Sequence, residues 1–274
     1  MKSLEQFDVT VTAVKPDVIL KQVVEAGKPY LRAVQLFKVN KDLTKQAGDT
    51  IKIPKRPRLT ASQFTAGSEN VPSTSVTYST VSITANTVGQ SVKIPLTAIK
   101  NAQVDVVNDL VNALGEAIAL KEDEDCVNAL ISGASFVISA TSAGVLTYED
   151  LIKAKSSLEG AYFTPKVLLV NPSEHNDLLK SDMFTDASKY GSAEPLLNGE
   201  VGKIAGMKVV VDHKVPSGKA IVLDPDYAGL YVLKEDVKVE EKELPEQYAV
   251  QLIATKWYGV GVIYSSAIAV ISAC

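Results

Sequence analysis

From Thr97 to Leu130 apolar residues return at helical spacing without a proline among them. Ile99, Val106, Val107, Leu110, Leu114, Ala117, Ile118, Val127 and Leu130 would line one face, with Asp105, Asp109, Asn112 and Glu116 opposite. Thr97, just after Pro95, suits an N-cap, and Gly133 suits the end. At 1.5 Å of rise per residue, a helix over residues 97–131 is roughly 50 Å long, several times the usual length. So long a rod fits an extended subunit better than a compact enzyme.

The segment before it points the same way. Gly48-Asp49 signals a turn, and Thr50-Ile51-Lys52-Ile53-Pro54 alternates as an edge strand does. A polar tip, Lys55 to Ser75, is followed by a return run from Val76 to Ile94. The apolar parity of that run slips twice, which predicts bulges or bends in one long strand. The block reads as a two-stranded excursion with little core of its own, and a lone hairpin is marginal in water. A neighbouring subunit is the natural body to pack against it.

Residues 1 to 14 read as an extended arm, and a short helix is predicted after Pro16, stopping at Gly27-Lys28-Pro29. Beyond the long helix, a strand at Ser135–Ser139 leads into alternating helix and strand. Thr147-Tyr148-Glu149-Asp150 spells a capping box. Val167–Val170 is a buried strand, and Asn171-Pro172-Ser173 caps the next helix. A Gly/Ser/Asp-rich loop spans Ser181 to Gly199. Strands follow at Val209–Asp212, Ala220–Leu223, Tyr227–Leu233, Asp236–Glu243, Tyr248–Thr255 and Gly261–Ile271.

The residues that could do chemistry do not converge. The two histidines, His175 and His213, have no nucleophile or orienting acid placed by a motif. The two cysteines, Cys126 and Cys274, fit neither a disulfide framework nor a metal site. Gly199-Glu200-Val201-Gly202-Lys203 lacks the spacing and the Ser/Thr of a phosphate loop, and Asp224-Pro225-Asp226 reads as a turn. No catalytic residue, cofactor site or metal site is expected, and no segment reads as a membrane span. Hydrophobic residues make up 46% and charged residues 22%, which argues for a folded chain, while the net charge of −4 argues against a general nucleic-acid binder.

Charge is nonetheless clustered. Lys52, Lys55, Arg56 and Arg58 crowd the hairpin excursion. Glu122, Asp123, Glu124 and Asp125 sit late in the long helix, and Glu235, Asp236, Glu240, Glu241 and Glu243 lie further on. Plain surface solvation, docking of a basic arm on an acidic neighbour, and nucleic-acid contact all remain open as readings of these clusters. On the docking reading, the first two clusters are the candidate inter-subunit contacts.

The order of these parts, with Val167-Leu168-Leu169-Val170-Asn171-Pro172-Ser173-Glu174-His175 and Gly202-Lys203-Ile204-Ala205-Gly206-Met207-Lys208-Val209-Val210-Val211, resembles the major capsid proteins of tailed phages and tailed archaeal viruses, whose fold is shared with encapsulins. The resemblance implies an α+β phage major capsid fold. Its parts would be an N-terminal arm over 1–46, an extended loop over 47–95, and a spine helix with part of a peripheral domain over 96–147. An axial α/β domain over 148–225 and closing strands over 226–274 would complete it. It also implies a shell subunit that closes into pentamers and hexamers and encloses double-stranded DNA without sequence-specific binding. Separate scaffolding and portal proteins are expected, with assembly in the host cytoplasm and residence in the virion.

Three alternatives compete. An encapsulin-like compartment would use the same fold around a protein cargo. An α/β enzyme would use residues 148–270 as its catalytic unit. A phage tail or adhesin subunit would suit the Thr/Ser-rich strands from Ser73 to Thr87, but fits the long helix poorly.

Overall fold

A computed structural model describes residues 16–45, 48–63, 65, 73, 75–97, 106–142, 144–180 and 203–272. The expected arm over 1–14, the first turns of the long helix, the 181–199 loop and Cys274 lie outside the described residues. The helices are α1 (Pro16–Gly27), α2 (Val106–Gly133), α3 (Tyr148–Gly160) and α4 (Pro172–Lys180). The strands are β1 (Lys38–Asn40), β2 (Thr50–Lys55), β3 (Ser79–Thr84), β4 (Asn86–Pro95), β5 (Phe136–Ser139), β6 (Val167–Val170), β7 (Lys203–Ile204), β8 (Met207–Val211), β9 (Lys219–Leu223), β10 (Gly229–Leu244), β11 (Ala249–Val262) and β12 (Ile268–Ser272). The chain forms two compact units, each discontinuous in sequence, and α2, β10 and β11 contribute residues to both.

The first unit draws on Met1–Leu31, Thr87–Lys121 and Glu235–Lys256. Its core joins Val23 of α1, Val111, Leu114 and Ile118 of α2, Ile94 of β4, and Leu252 and Ala254 of β11. Val237 and Val239 of β10 pack against it, while Asp236, Lys238 and Glu240 between and beside them stay exposed. That is the period-2 alternation of a half-buried strand. Gly115 lets the two helices meet: a Cβ there would lie 2.2 Å from the Val23 carbonyl oxygen. Ala117, expected on the apolar face of the long helix, is exposed instead.

The second unit, Arg32–Asn86, Glu122–Lys234 and Trp257–Cys274, is built on a six-stranded sheet of order β5-β12-β9-β6-β8-β7. Strands β6 and β8 are parallel, whereas β9 runs antiparallel to both β6 and β12. All four residues of β6 are buried, which explains its unbroken Val-Leu-Leu-Val run. Leu151, Ala154 and Leu158 of α3 and Leu178 of α4 cover one face, against Leu168, Val170, Val222 and Ile271. The β7–β8 hairpin turns on Ala205 (φ 50°) and Gly206 (φ 84°), the double positive φ of a type I′ turn.

Helix α3 starts as its sequence predicts. The Thr147 hydroxyl accepts from the Asp150 backbone N–H at 3.4 Å, and the Asp150 carboxylate accepts from the Thr147 N–H at 3.2 Å. Asp150 is fully buried and also accepts from the Thr141 N–H at 2.9 Å and the Thr141 hydroxyl at 2.5 Å. Burial opposes its ionisation, but these donors together outweigh burial and hold the carboxyl below its ordinary range. Its contribution is therefore complete at neutral pH and is lost as the solution is acidified through the folded-state pKa. Asp150→Ala is expected to cost about 3 kcal/mol, from one cap and several charge-assisted hydrogen bonds. Urea denaturation at pH 7 measures this, and a cost below about 1 kcal/mol would deny the cap its role.

Two expectations are corrected. The return run from Val76 is not one bent strand. Strand β3 pairs antiparallel with β2, from Thr50↔Thr84 to Lys55↔Ser79, whereas β4 belongs to a different sheet, beside β11. The parity slip at Ala85 is the point where the chain changes sheets, and the Ala85 N–H donates to the Asp49 carbonyl at 2.7 Å. Secondly, Tyr227–Leu233 and Asp236–Glu243 are one 16-residue strand, β10, and the run expected to begin at Gly261 is divided between β11 and β12.

Candidate functional site

The hairpin of β2 and β3 has a core at its root. Ile83 is 3% exposed and shares a cluster with Leu43, Ala85 and Val232, joined by Ile51, Ile53, Val81 and Leu230. The root therefore does not depend on a neighbour, contrary to the expectation of little core of its own. Asp49 is ion-paired with Lys234, whose ammonium lies 4.4 Å from the Trp257 ring centre. Past the root the character changes. Residues 56–63 and 75–80 are all exposed.

The basic residues sit at this transition. Lys52, Arg56 and Arg58 are exposed and Lys55 is half-buried. Lys55 lies 4.8 Å from the Tyr264 ring centre, and the Arg58 guanidinium lies 4.2 Å from that of Tyr162. Phe163, Tyr227 and Tyr264 form an aromatic cluster, with ring centres 5.6 to 6.1 Å apart. Basic segment and aromatic cluster face each other across a cleft of about 660 Å³. The sequence reading missed this cluster, because Tyr162-Phe163, Tyr227 and Tyr264 are far apart in the chain. Their only local sign is the turn preceding each of the first two: Gly160-Ala161 and Asp224-Pro225-Asp226. Lys166 ion-pairs with Asp226 at that second turn and lowers its pKa.

Of the acidic run on α2, Glu122 and Asp123 face inward, which removes those two as docking candidates, whereas Glu124 and Asp125 are half-buried. Glu122 is 2% exposed and Asp123 fully buried. Asp123 accepts from the backbone N–H groups of Arg32, Ala33 and Val34 at 2.8, 2.7 and 3.3 Å. Glu124 pairs with Lys214 at 3.6 Å, and Asp125 accepts from the Tyr258 hydroxyl at 2.8 Å. Burial pushes the Tyr231 phenol upward, and the charge of Glu122 adds to it. The run anchors its own subunit. The acidic run on β10, Glu235, Asp236, Glu240, Glu241 and Glu243, is exposed.

His175 is half-buried, and burial lowers its pKa; His213 is exposed. Cys126 is buried. Asp224 accepts from the Thr164 and Asp226 N–H groups, both at 3.2 Å, as a turn residue does. Among the described residues no group of three or more His, Cys, Asp or Glu converges as a metal site, and no helix is long and apolar enough to cross a membrane.

Solved structures share this fold. A chain from Mycobacterium phage Che8 superposes with a TM-score of 0.73 at 16% identity, covering 87% of this chain and 90% of its own. The capsid structure of cyanophage P-SCSP1u gives 0.73 at 14% identity, with 87% and 86% covered. The virus-like particle from Pyrococcus furiosus gives 0.63 at 15% identity, with 93% and 98% covered. No curated protein matches the chain in sequence. Residues 77–271, most of the chain, match the family of phage capsid proteins. With the α+β fold of phage major capsid proteins around a self-anchored hairpin, the chain belongs to the phage capsid protein family and serves as a structural subunit of an icosahedral shell in the virion.

Proposed function

We propose that copies of this chain close into pentamers and hexamers, and that the shell they form encloses double-stranded DNA without reading its sequence. Residues 1–46 would serve as arm, 47–95 as extended loop, 96–147 as spine, 148–225 as axial domain and 226–274 as closing strands. The observation that carries the proposal is the hairpin: its root is packed within the subunit, whereas its described end is exposed and basic. Lys52, Lys55, Arg56 and Arg58 dock on the acidic strip of β10 in a neighbour, where charge complementarity fixes register and speeds association. Scaffolding and portal functions belong to separate proteins.

Negative-stain electron microscopy of the purified full chain, with size-exclusion chromatography, tests the assembly. Rings of five and six, or closed shells, are expected. A species that stays monomeric or dimeric across salt and concentration would refute it. The contents of the shells are a separate question. Nuclease-protected DNA in particles from infected cells is expected, and particles filled with a protein cargo would make this chain a compartment shell.

A further inference from the structure

We propose that Asp123 and Asp212 form a buried proton-binding site, a single hydrogen held between two carboxyls that locks the turn at residues 32–36 to α2 and to the end of β8. The site lies within one unit of the chain and does not depend on the assembly reading.

Asp123 is fully buried and Asp212 is 2% exposed. The Oδ1 atom of Asp123 is taken up by the three N–H groups of residues 32–34. The Oδ1 atom of Asp212 accepts from the Lys214 N–H at 2.8 Å. The Oδ2 atom of each is buried, and no other group among the described residues donates to it. The two carboxyls are neighbours, and an ionised carboxylate has only acceptors, so neither orphaned Oδ2 can satisfy the other unless one of the pair carries a proton. Two bare carboxylates side by side would be both repelled and desolvated.

Among the described residues no cationic side chain is hydrogen-bonded or ion-paired to either carboxyl. The Arg32 guanidinium donates from Nη1 to the Val211 carbonyl, and Lys214 pairs with Glu124. Of the remaining charged neighbours in sequence, Glu122 and Asp125 face Tyr231 and Tyr258, and His213 is exposed. Burial first, and then the hydrogen bond and charge of Asp212, push the Asp123 carboxyl up to about 7, although the N–H groups of Ala33 and Val34 pull the other way. The folded pair therefore keeps a proton that the unfolded chain gives up near pH 4. Wherever the folded state binds the extra proton, stability falls as pH rises. The lock is tight in acid, weakens toward neutrality, and reaches its floor once the shared proton is gone. In a shell subunit this makes the 32–36 turn a joint that loosens on alkalinisation.

The test is urea unfolding of the full chain between pH 5 and 8, compared with Asp212→Asn and Asp123→Asn. Each amide places a permanent N–H donor where the shared proton sits. For the wild type, the unfolding constant is expected to rise by up to about tenfold per pH unit between pH 5 and 7. Both variants should flatten that rise, and each should be more stable than the wild type at pH 8. If one variant does not fold, the other decides. If neither folds, the infrared spectrum of the wild type at pH 6 decides, where a protonated carboxyl stretch should be present and should fade by pH 8. A flat wild-type profile, a slope that survives in the folded variants, or a carboxyl band that does not titrate overturns the proposal. So does a Ca²⁺-dependent gain at pH 8 that Asp212→Asn abolishes, since the site would then hold a metal ion and not a proton.

Discussion

Gly115→Ala should loosen the first unit, although alanine is the better helix former. On propensity alone the change would stabilise α2 by about 1 kcal/mol. The contact decides the sign. The added Cβ would lie 2.2 Å from the Val23 carbonyl oxygen, 2.9 Å from its carbon and 3.0 Å from its Cα. Those are backbone atoms of α1, so no rotamer change relieves the overlap. The helix must move away, and Val23, Leu114 and Ile118 lose part of their shared burial. Overpacking of this kind costs about 1–3 kcal/mol, and loss of the apolar contact adds to it, so a net loss of about 2 kcal/mol is expected. Gly27 stands at the same crossing, where a Cβ would lie 3.0 Å from that of Ala119, which leaves α1 no slack there. Gly115→Val should separate the helices outright. Hydrogen exchange over residues 16–27, read beside the denaturation midpoint, measures both effects. Exposed Ala117→Ser is the control and should cost under about 0.5 kcal/mol. A stabilised Gly115→Ala protein would show that the crossing has room to spare.

What could be read from the sequence was what the chain decides locally. The capping box at Thr147 and Asp150 sits within one helical turn, and its residues specify their own geometry. The stop of α1 at Gly27, the end of α2 at Gly133 and the buried strand Val167–Val170 are local in the same sense. The failures lie where a distant partner decides. Nothing near Ala85 says that β3 pairs back to β2 while β4 joins another sheet, so a change of sheet resembled a bulge. Glu122-Asp123-Glu124-Asp125 has the composition of a solvated helix face. Its partners are Arg32, Lys214 and Tyr258, each about 90 residues or more along the chain. Gly115 carried no signal at all, because a glycine within a helix is informative only once the neighbouring backbone is known to approach it. The basic residues were visible as charges, but the rings that hold two of them, Tyr162 and Tyr264, come from two places about 100 residues apart in the chain.

If the hairpin charges dock on a neighbour as proposed, a charge reversal separates that role from the one they have inside the subunit. Changing Lys55, Arg56 and Arg58 together to Glu removes two cation–π contacts inside the subunit, with Tyr264 and Tyr162. At exposed sites each is worth about 0.5–1 kcal/mol, so the subunit loses about 1–2 kcal/mol. The root cluster around Ile83 is untouched, and the variant should remain folded. Between subunits the arithmetic differs. Like charges placed against Glu240, Glu241 and Glu243 of a neighbour cost several kcal/mol at one contact, and a closed shell repeats that contact at every protomer. The expected result is a soluble protein with a near-native circular-dichroism melt and no shells by electron microscopy. Raising the salt concentration should relieve part of the defect, because exposed charges are screened within about 10 Å at 0.1 M. The reciprocal change, Glu240, Glu241 and Glu243 to Lys, should fail in the same way, and the two sets combined in one chain should assemble again. Normal shells from the basic-to-acidic variant would remove the docking role from these residues. Failure of the combined variant, with both single sets folded, would keep the basic segment in the interface but assign it a partner other than β10.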